Sequence, residues 1–533
     1  MRAILRIKMT ILILLVVGAG ATTTAQSEVP TPRPRTEVVV RFDESLRAEP
    51  ATGRLILLMS KATRGARHRD PLGAPFWDDP SPIYSIAVEA VKPGDDMRID
   101  DSAVAFPVPL SELDGEYSVR AVLDLDRTTS GFASSEKNLL SMPKRLEFDA
   151  QRAQSFFIEL AGVGRVPDPE DTDRVKSVRM RSESLSEFHG FDFVLRAGVV
   201  LPEGYEDHPE RRYAAVYHIP GFGGSHAGAW RHRDDHELDR QVVHIYLNPD
   251  GPFGHHLFVN SENNGPVGDA LVNELIPHLE ERFRLVPKDA GRLLTGHSSG
   301  GFTSAWLQVN YPETFGGAWA TGPDPVDFRA FQIIDIYTAT NAYVNPEGNE
   351  RSSVVIDGAV VCTIRQENEM EHAIDPDNRS GQQWDSWMAC FSPRDERGNP
   401  AGLWDAKSGA MSPEVVKFWK KRDLRRVVES RWDELGPLVS QRLRIIVGAE
   451  DNFDLHEAVG YLRSSLDELS GWESDAISEA DRAGRGYIEI IPGRDHFNLY
   501  EDGLAARIKS EMSRHLQSEG LLHHAGESAT PTR

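Results

Sequence analysis

A short apolar run, Arg292-Leu293-Leu294-Thr295, leads into Gly296-His297-Ser298-Ser299-Gly300-Gly301-Phe302 and then into a helical pattern. Strand, Gly-x-Ser-x-Gly, helix is the layout of a nucleophile elbow, a turn sharp enough to lift a serine hydroxyl out of the backbone and aim it at substrate. The two outer glycines follow from sterics, because a Cβ at 296 or 300 would collide across the turn. The spacing is a weak signal alone. With glycine and serine each near ~7% of residues, a chain of this length shows it by chance roughly one time in six. The surrounding elements have to decide.

Those elements alternate. Val175–Glu187 and Phe193–Leu201 read as a leading antiparallel pair that ends at Pro202-Glu203-Gly204-Tyr205. Tyr213–Ile219, Val242–Leu247, Arg292–Thr295, Gly317–Thr321, Leu443–Val447 and Tyr487–Ile491 read as strands. Gly268–Phe283 carries Leu271, Leu275, Ile276, Leu279 and Phe283 at helical spacing despite Pro277, and Gly300–Asn310 is a helix closed by Pro312. The fold class expected over residues 173–520 is therefore α/β, a mostly parallel sheet with helices on both faces. Ahead of it, residues 37–162 give short β-type segments with no convincing helix between them, which suggests a smaller β-sandwich. A Pro-rich stretch at 27–36 reads as an extended linker, and 163–172 as the connection between the two units. Between about 340 and 435 the βα rhythm breaks. That stretch is polar, holds both cysteines and four tryptophans (Trp384, Trp387, Trp404 and Trp419), and reads as an insertion or cap on the α/β core. The last residues, 521–533, read as a disordered tail.

Charge and termini narrow the function classes. A formal net charge of -23 argues against nucleic acid and anionic membranes, since phosphate contacts need dense Lys and Arg. With two cysteines and no His-Glu-x-x-His run, no metal-ligand cluster stands out, and no cofactor is expected. Arg2, Arg6 and Lys8 precede an apolar run of about 12 residues, Met9 to Gly20, where a membrane span needs about 20. Residues 1–25 thus read as a cleaved signal peptide, with export to the periplasm or the exterior and no stable membrane anchor. In an oxidising compartment Cys362 and Cys390 could pair; two buried free thiols are the alternative.

A serine is a poor nucleophile until a base takes its proton and an acid holds that base in the right tautomer. In the elbow-bearing α/β sheets these groups follow successive strands in the order Ser, Asp or Glu, His. After Ile445-Ile446-Val447-Gly448 comes Ala449-Glu450-Asp451-Asn452-Phe453-Asp454, and after Ile488–Ile491 comes Pro492-Gly493-Arg494-Asp495-His496-Phe497. The candidate catalytic set is Ser298, Asp451 and His496, with Asp454 and Glu450 as alternative acids in the same loop. His456 reads as a helix-start residue and His297 as a lining of the elbow. An oxyanion needs two backbone N–H donors. Ser299 supplies one. The glycine-rich loop Pro220-Gly221-Phe222-Gly223-Gly224-Ser225, directly after a strand, supplies the other through Phe222.

Taken in order, Val200–Tyr205, the Pro220–Ser225 loop, Asn264–Phe283, Gly296–Gly301, Gly448–Asn452 and Gly493–His496 resemble the putative-esterase (esterase-D-like) family of α/β-hydrolases. The resemblance runs from about residue 175 to 516, and a β domain ahead of the catalytic region is similar to the enterochelin esterase arrangement. Pro220 stands where that family usually has His, and the 340–435 insertion is large. The resemblance implies an exported two-domain serine esterase that hydrolyses carboxylic esters through an acyl-enzyme. An acyltransferase on the same triad is one alternative. A non-catalytic carbohydrate- or ligand-binding protein using the insertion's tryptophans is another.

Overall fold

The computed structural model describes residues 35–61, 69–165, 169–472, 482 and 484–522. The expected signal peptide, nearly all of the Pro-rich linker and most of the expected tail lie outside the described residues.

The N-terminal unit is all β, as its short β-type segments without a helix between them predict. Its strands pair along one continuous path: Met97–Ile99, Thr36–Phe42, Gln154–Val163, Leu139–Ser141, Gly115–Asp124, Ala51–Lys61, Ile83–Val91 and Val104–Phe106, with Lys144–Phe148 also on Gly115–Asp124. The sheet curls back on itself, since Ile83–Val91 and Met97–Ile99 touch although they stand far apart in the pairing order. Val38, Val40, Leu55, Leu57, Met59, Val119, Ala121 and Ile158 fill the space enclosed.

The α/β unit has an eight-stranded sheet. Its strands are β1 (Val175–Arg181), β2 (Val194–Val200), β3 (Ala215–Ile219), β4 (Val243–Leu247), β5 (Arg292–His297), β6 (Gly317–Thr321), β7 (Leu443–Gly448) and β8 (Tyr487–Ile491). The spatial order is β1-β2-β4-β3-β5-β6-β7-β8, antiparallel through the β2/β4 pair and parallel from β4 onward. This is the α/β-hydrolase sheet. Apolar runs such as Leu443–Gly448, buried at every position, have helices on both faces to pack against. The helix expected at Gly268–Phe283 forms as two α segments, Val267–Ala270 and Ile276–Arg282, joined by a π turn at Leu271–Leu275. Pro277 has no N–H to give and its ring crowds the preceding turn, so the chain widens by one residue instead of breaking.

The 340–435 insertion is a packed wedge rather than a loose lid. A hairpin, Ser352–Ile356 with Ala359–Thr363, leads into α1 (Ile364–Ile374) and α2 (Gln383–Phe391). Val354, Met370, Ala373 and Ile374 share one core with Ile56, Leu58, Ile83, Phe106 and Val122 of the N-terminal sheet. Burying a side chain of that size stabilises by about 1.5–3 kcal/mol, so this contact fastens the β unit to the α/β unit. Asp375 adds charge pairing across the same seam, 2.8 Å from Arg127 and 3.6 Å from Arg54.

The four tryptophans serve packing, each with its indole N–H on a buried acceptor. Trp384 donates to Glu367 (3.1 Å), Trp387 to Asp324 (2.8 Å), Trp404 to Asn368 (3.3 Å) and Trp419 to Ser392 (2.8 Å). The disulfide expected as possible is absent. Cys362 and Cys390 are free and buried, Cys362 against the N-terminal sheet and Cys390 in the α/β core beside Asn264.

Candidate active site

Ser298 stands between β5 and α3 (Ser299–Asn310) with φ 60° and ψ -127°. For a residue with a Cβ this backbone costs on the order of 1–3 kcal/mol, held in place by its surroundings. The Ser298 N–H donates to Thr321 O (3.0 Å), and its carbonyl accepts from Phe302 N (3.0 Å) and Asp324 N (3.2 Å). The flanking glycines are required sterically. A Cβ at Gly300 would lie 2.0 Å from the carbonyl oxygen of Ile219, and one at Gly296 would lie 2.3 Å from that of Gly300.

The β7 and β8 loops bring their residues together beside this turn. His496 Nδ1 lies 2.8 Å from Asp451 Oδ2, both groups buried. A carboxylate only accepts, so Nδ1 carries the proton and Nε2 is left with its lone pair. The second Asp451 oxygen accepts from Phe453 N (3.0 Å) and Leu455 N (3.4 Å), which fixes the carboxylate plane. Asn452 holds the loops together, accepting from His496 N (3.1 Å) and donating to Val355 O of the insertion hairpin (2.8 Å). His297 lies against the base, with ring centroids 4.4 Å apart and its Nε2 3.1 Å from His496 O. Burial pushes the His297 imidazole down to about 4, with His496 adding to the effect, so it stays neutral.

The alternative acids stand elsewhere. Asp454 occupies the N-cap position of α4 (Leu455–Asp467) in a left-handed conformation, φ 57°, with Ser352 Oγ at 3.5 Å. Glu450 is exposed, and His456 sits in the first turn of α4 with Glu457 at 3.6 Å.

The glycine loop lies against the serine: a Cβ at Gly221 would come 3.2 Å from Ser298 Cβ. Gly224 N donates to Gly221 O (3.0 Å), and His255 Nε2 lies 3.0 Å from Pro220 O, which pins the loop from behind. Ser299 opens α3, so its N–H has no intrahelical acceptor.

Several side chains at the site were not singled out from sequence. Asp324 is buried, accepts from Ser299 Oγ (2.7 Å) and from Trp387, and so links the insertion to the residue after the elbow. Burial pushes its carboxyl up to about 6. The folded state thus favours the protonated acid, and its contribution to stability is full below the unfolded pKa near 3.8 and lost as pH rises through about 6. Asp324→Asn should remove that dependence. Between pH 4 and 7 the unfolding free energy of the wild type should fall relative to the variant by about 2 kcal/mol. Parallel stability–pH curves from urea denaturation would contradict the assignment.

Trp77, from the N-terminal unit, packs on Phe222 (centroids 5.5 Å apart) and edge-on to Phe453 (6.2 Å). Phe453 in turn meets His496 (4.9 Å) and the exposed Phe497 (5.9 Å). An aromatic wall therefore borders the site, and the β unit supplies part of it.

Residues 194–404 match the family model described as putative esterase, a span that includes the glycine loop and the elbow. Among curated proteins nothing matches. Solved structures similar to the chain include a fluorophosphonate-binding serine hydrolase, FphF, from Staphylococcus aureus (14% identity, 64% of this chain and 98% of that one, TM-score 0.37). A ferulic acid esterase is similar at 14% identity, 64% and 98% coverage and a TM-score of 0.34. An S-formylglutathione hydrolase from Agrobacterium tumefaciens is similar at 13% identity, 66% and 96% coverage and a TM-score of 0.33. The match to the putative-esterase model thus takes in the glycine loop, the serine-bearing turn and the helix that follows, and the chain is a carboxylic ester hydrolase.

Proposed function

We propose that Ser298, His496 and Asp451 form a catalytic triad that cleaves carboxylic esters through an acyl-enzyme. The observation that carries this reading is the buried Asp451–His496 pair, 2.8 Å apart, beside a serine held in elbow geometry. His496 Nε2 takes the Ser298 proton as Oγ attacks the ester carbonyl. The N–H groups of Ser299 and Phe222 stabilise the tetrahedral oxyanion. Collapse breaks the C–O bond, and the proton on His496 passes to the leaving alcohol. Water then attacks the acyl-enzyme with His496 as base, releasing the acid and restoring Ser298. Asp451 keeps the imidazole in the productive tautomer throughout. A fluorophosphonate probe should label the intact protein once, at the peptide bearing Ser298. Labelling elsewhere, or none, would overturn the assignment.

The wall of Trp77, Phe222, Phe453 and Phe497 favours esters with a bulky or aromatic group. Trp77→Ala should raise KM for an aromatic acyl ester about tenfold and leave an acetyl ester nearly unchanged, as loss of one stacked ring removes about 0.5–1.5 kcal/mol beyond its buried area. Equal effects on both esters would remove Trp77 from substrate contact. The basic and apolar N-terminus supports export as the route by which the protein meets such substrates. Terminal sequencing of the secreted protein tests this: a mature chain starting near residue 26 supports export, and an intact Met1 on cytoplasmic protein opposes it.

A further inference from the structure

Folding brings together three side chains that stand apart in sequence. His232 follows a 3-10 turn at His226–Arg231, Asp239 lies in another at Glu237–Arg240, and His244 is on β4. His232 Nε2, Asp239 Oδ1 and His244 Nε2 all lie within 4.8 Å of one another. All three side chains are at least nine-tenths buried; Asp239 Oδ1 and His244 Nε2 have only each other, at 3.2 Å, and His232 Nε2 has no hydrogen-bond partner. A buried polar atom left unpaired is costly, and an unpaired imidazole nitrogen aimed at a carboxylate and a second imidazole asks for an occupant.

The far side of each group is engaged. His232 Nδ1 lies 2.9 Å from Tyr246 Oη, His244 Nδ1 lies 2.8 Å from His218 Nε2, and Asp239 Oδ2 accepts from Lys509 Nζ at 2.8 Å. With Nδ1 donating to Tyr246 Oη and to His218 Nε2, each Nε2 keeps its lone pair, which is how outer partners orient imidazole ligands on a metal. Asp234, held by Arg174, places an oxygen 3.5 Å from His232 Nε2. Lys509 and Asp235 form a further charge pair at the rim and offset one another.

We propose that His232 Nε2, His244 Nε2 and Asp239 Oδ1 bind one divalent transition-metal ion, with Asp234 or water in the fourth position. Two imidazoles and a carboxylate suit zinc better than calcium or magnesium, which prefer all-oxygen sets. Tetrahedral bonds of about 2.0–2.1 Å need ligand atoms about 3.3 Å apart. The Asp239–His244 edge already has this length, and His232 Nε2, within 4.8 Å of both, must move inward to complete the set. The ion's role is structural. His218 is two residues from Pro220, so the centre would tie β3, β4 and the 226–240 segment together behind the glycine loop.

The test uses the full chain, stripped with a chelator and titrated with Co²⁺ and separately with Zn²⁺. One equivalent of Co²⁺ should develop the intense visible bands of a tetrahedral site, and saturating Zn²⁺ should raise the thermal midpoint by on the order of 5 °C. His232→Gln should abolish both responses with an unchanged far-UV spectrum. Asp239→Asn should do the same, and His456→Gln should leave both intact. Absence of a stoichiometric cobalt band in the wild type would overturn the proposal. So would a band that survives His232→Gln, since the ion would then be bound elsewhere.

Discussion

Ser298→Ala should lower kcat for any ester substrate by about 10⁴ or more while the protein stays folded. The expected size follows from the unit behaviour of a triad. Without the nucleophile, His496 and Asp451 have nothing to activate, and the remaining rate comes from the oxyanion donors and from binding. The fold should tolerate the change. The backbone bonds from Ser298 to Thr321, Phe302 and Asp324 do not involve the hydroxyl. The φ of 60° strains alanine about as much as serine, so the thermal midpoint should move by no more than a few degrees. KM should be nearly unchanged, because Oγ contributes to the transition state rather than to ground-state binding. The check is steady-state kinetics on a p-nitrophenyl ester alongside a thermal melt. Near-normal turnover in a folded Ser298→Ala protein would sink the proposed mechanism.

The elbow and the sheet were legible because their physics is local. Gly296 and Gly300 announce a turn no Cβ fits, and runs such as Leu443–Gly448 announce strands buried on both faces. The loops bearing Asp451 and His496 could be found by position, one strand end after another. Choosing among Glu450, Asp451 and Asp454 was harder, since all three share one loop and only the backbone path decides which reaches His496. What stayed illegible depends on long-range packing. Asp324 sits in an unremarkable Pro-flanked loop and gains its place from Ser299 and from Trp387, over sixty residues away. Trp77 comes from the other unit. The insertion looked too polar to hold itself, but its acids accept the indole and backbone N–H groups of Trp384 and its neighbours from inside. The cysteine pairing failed because the argument from compartment supplies no distance. Cys362 and Cys390 belong to different cores.

Asp451→Asn should lower kcat/KM by about 10⁴ near neutral pH, and Asp454→Asn should stay within severalfold of the wild type. The first change keeps shape but replaces an acceptor-only carboxylate with an amide that also donates. His496 Nδ1 at 2.8 Å can then be held as an acceptor, which moves the ring proton to Nε2 and blocks its role as base. The loop should survive, because the amide oxygen can still receive Phe453 N and Leu455 N. At Asp454 the logic reverses. Its side chain is directed at the insertion hairpin through Ser352 rather than at the histidine, and asparagine tolerates the left-handed φ of 57° as well as aspartate does. Burial already pushes the Asp454 carboxyl above its ordinary value, so removing the charge relieves a cost instead of breaking a bond. Asp454→Asn should therefore be neutral or slightly stabilising in urea denaturation above pH 5. Kinetics of both variants on one activated ester, with folding checked for each, decides between the two carboxylates. A large loss at Asp454 with a mild one at Asp451 would move the acid three residues along the loop while leaving Ser298 and His496 in place.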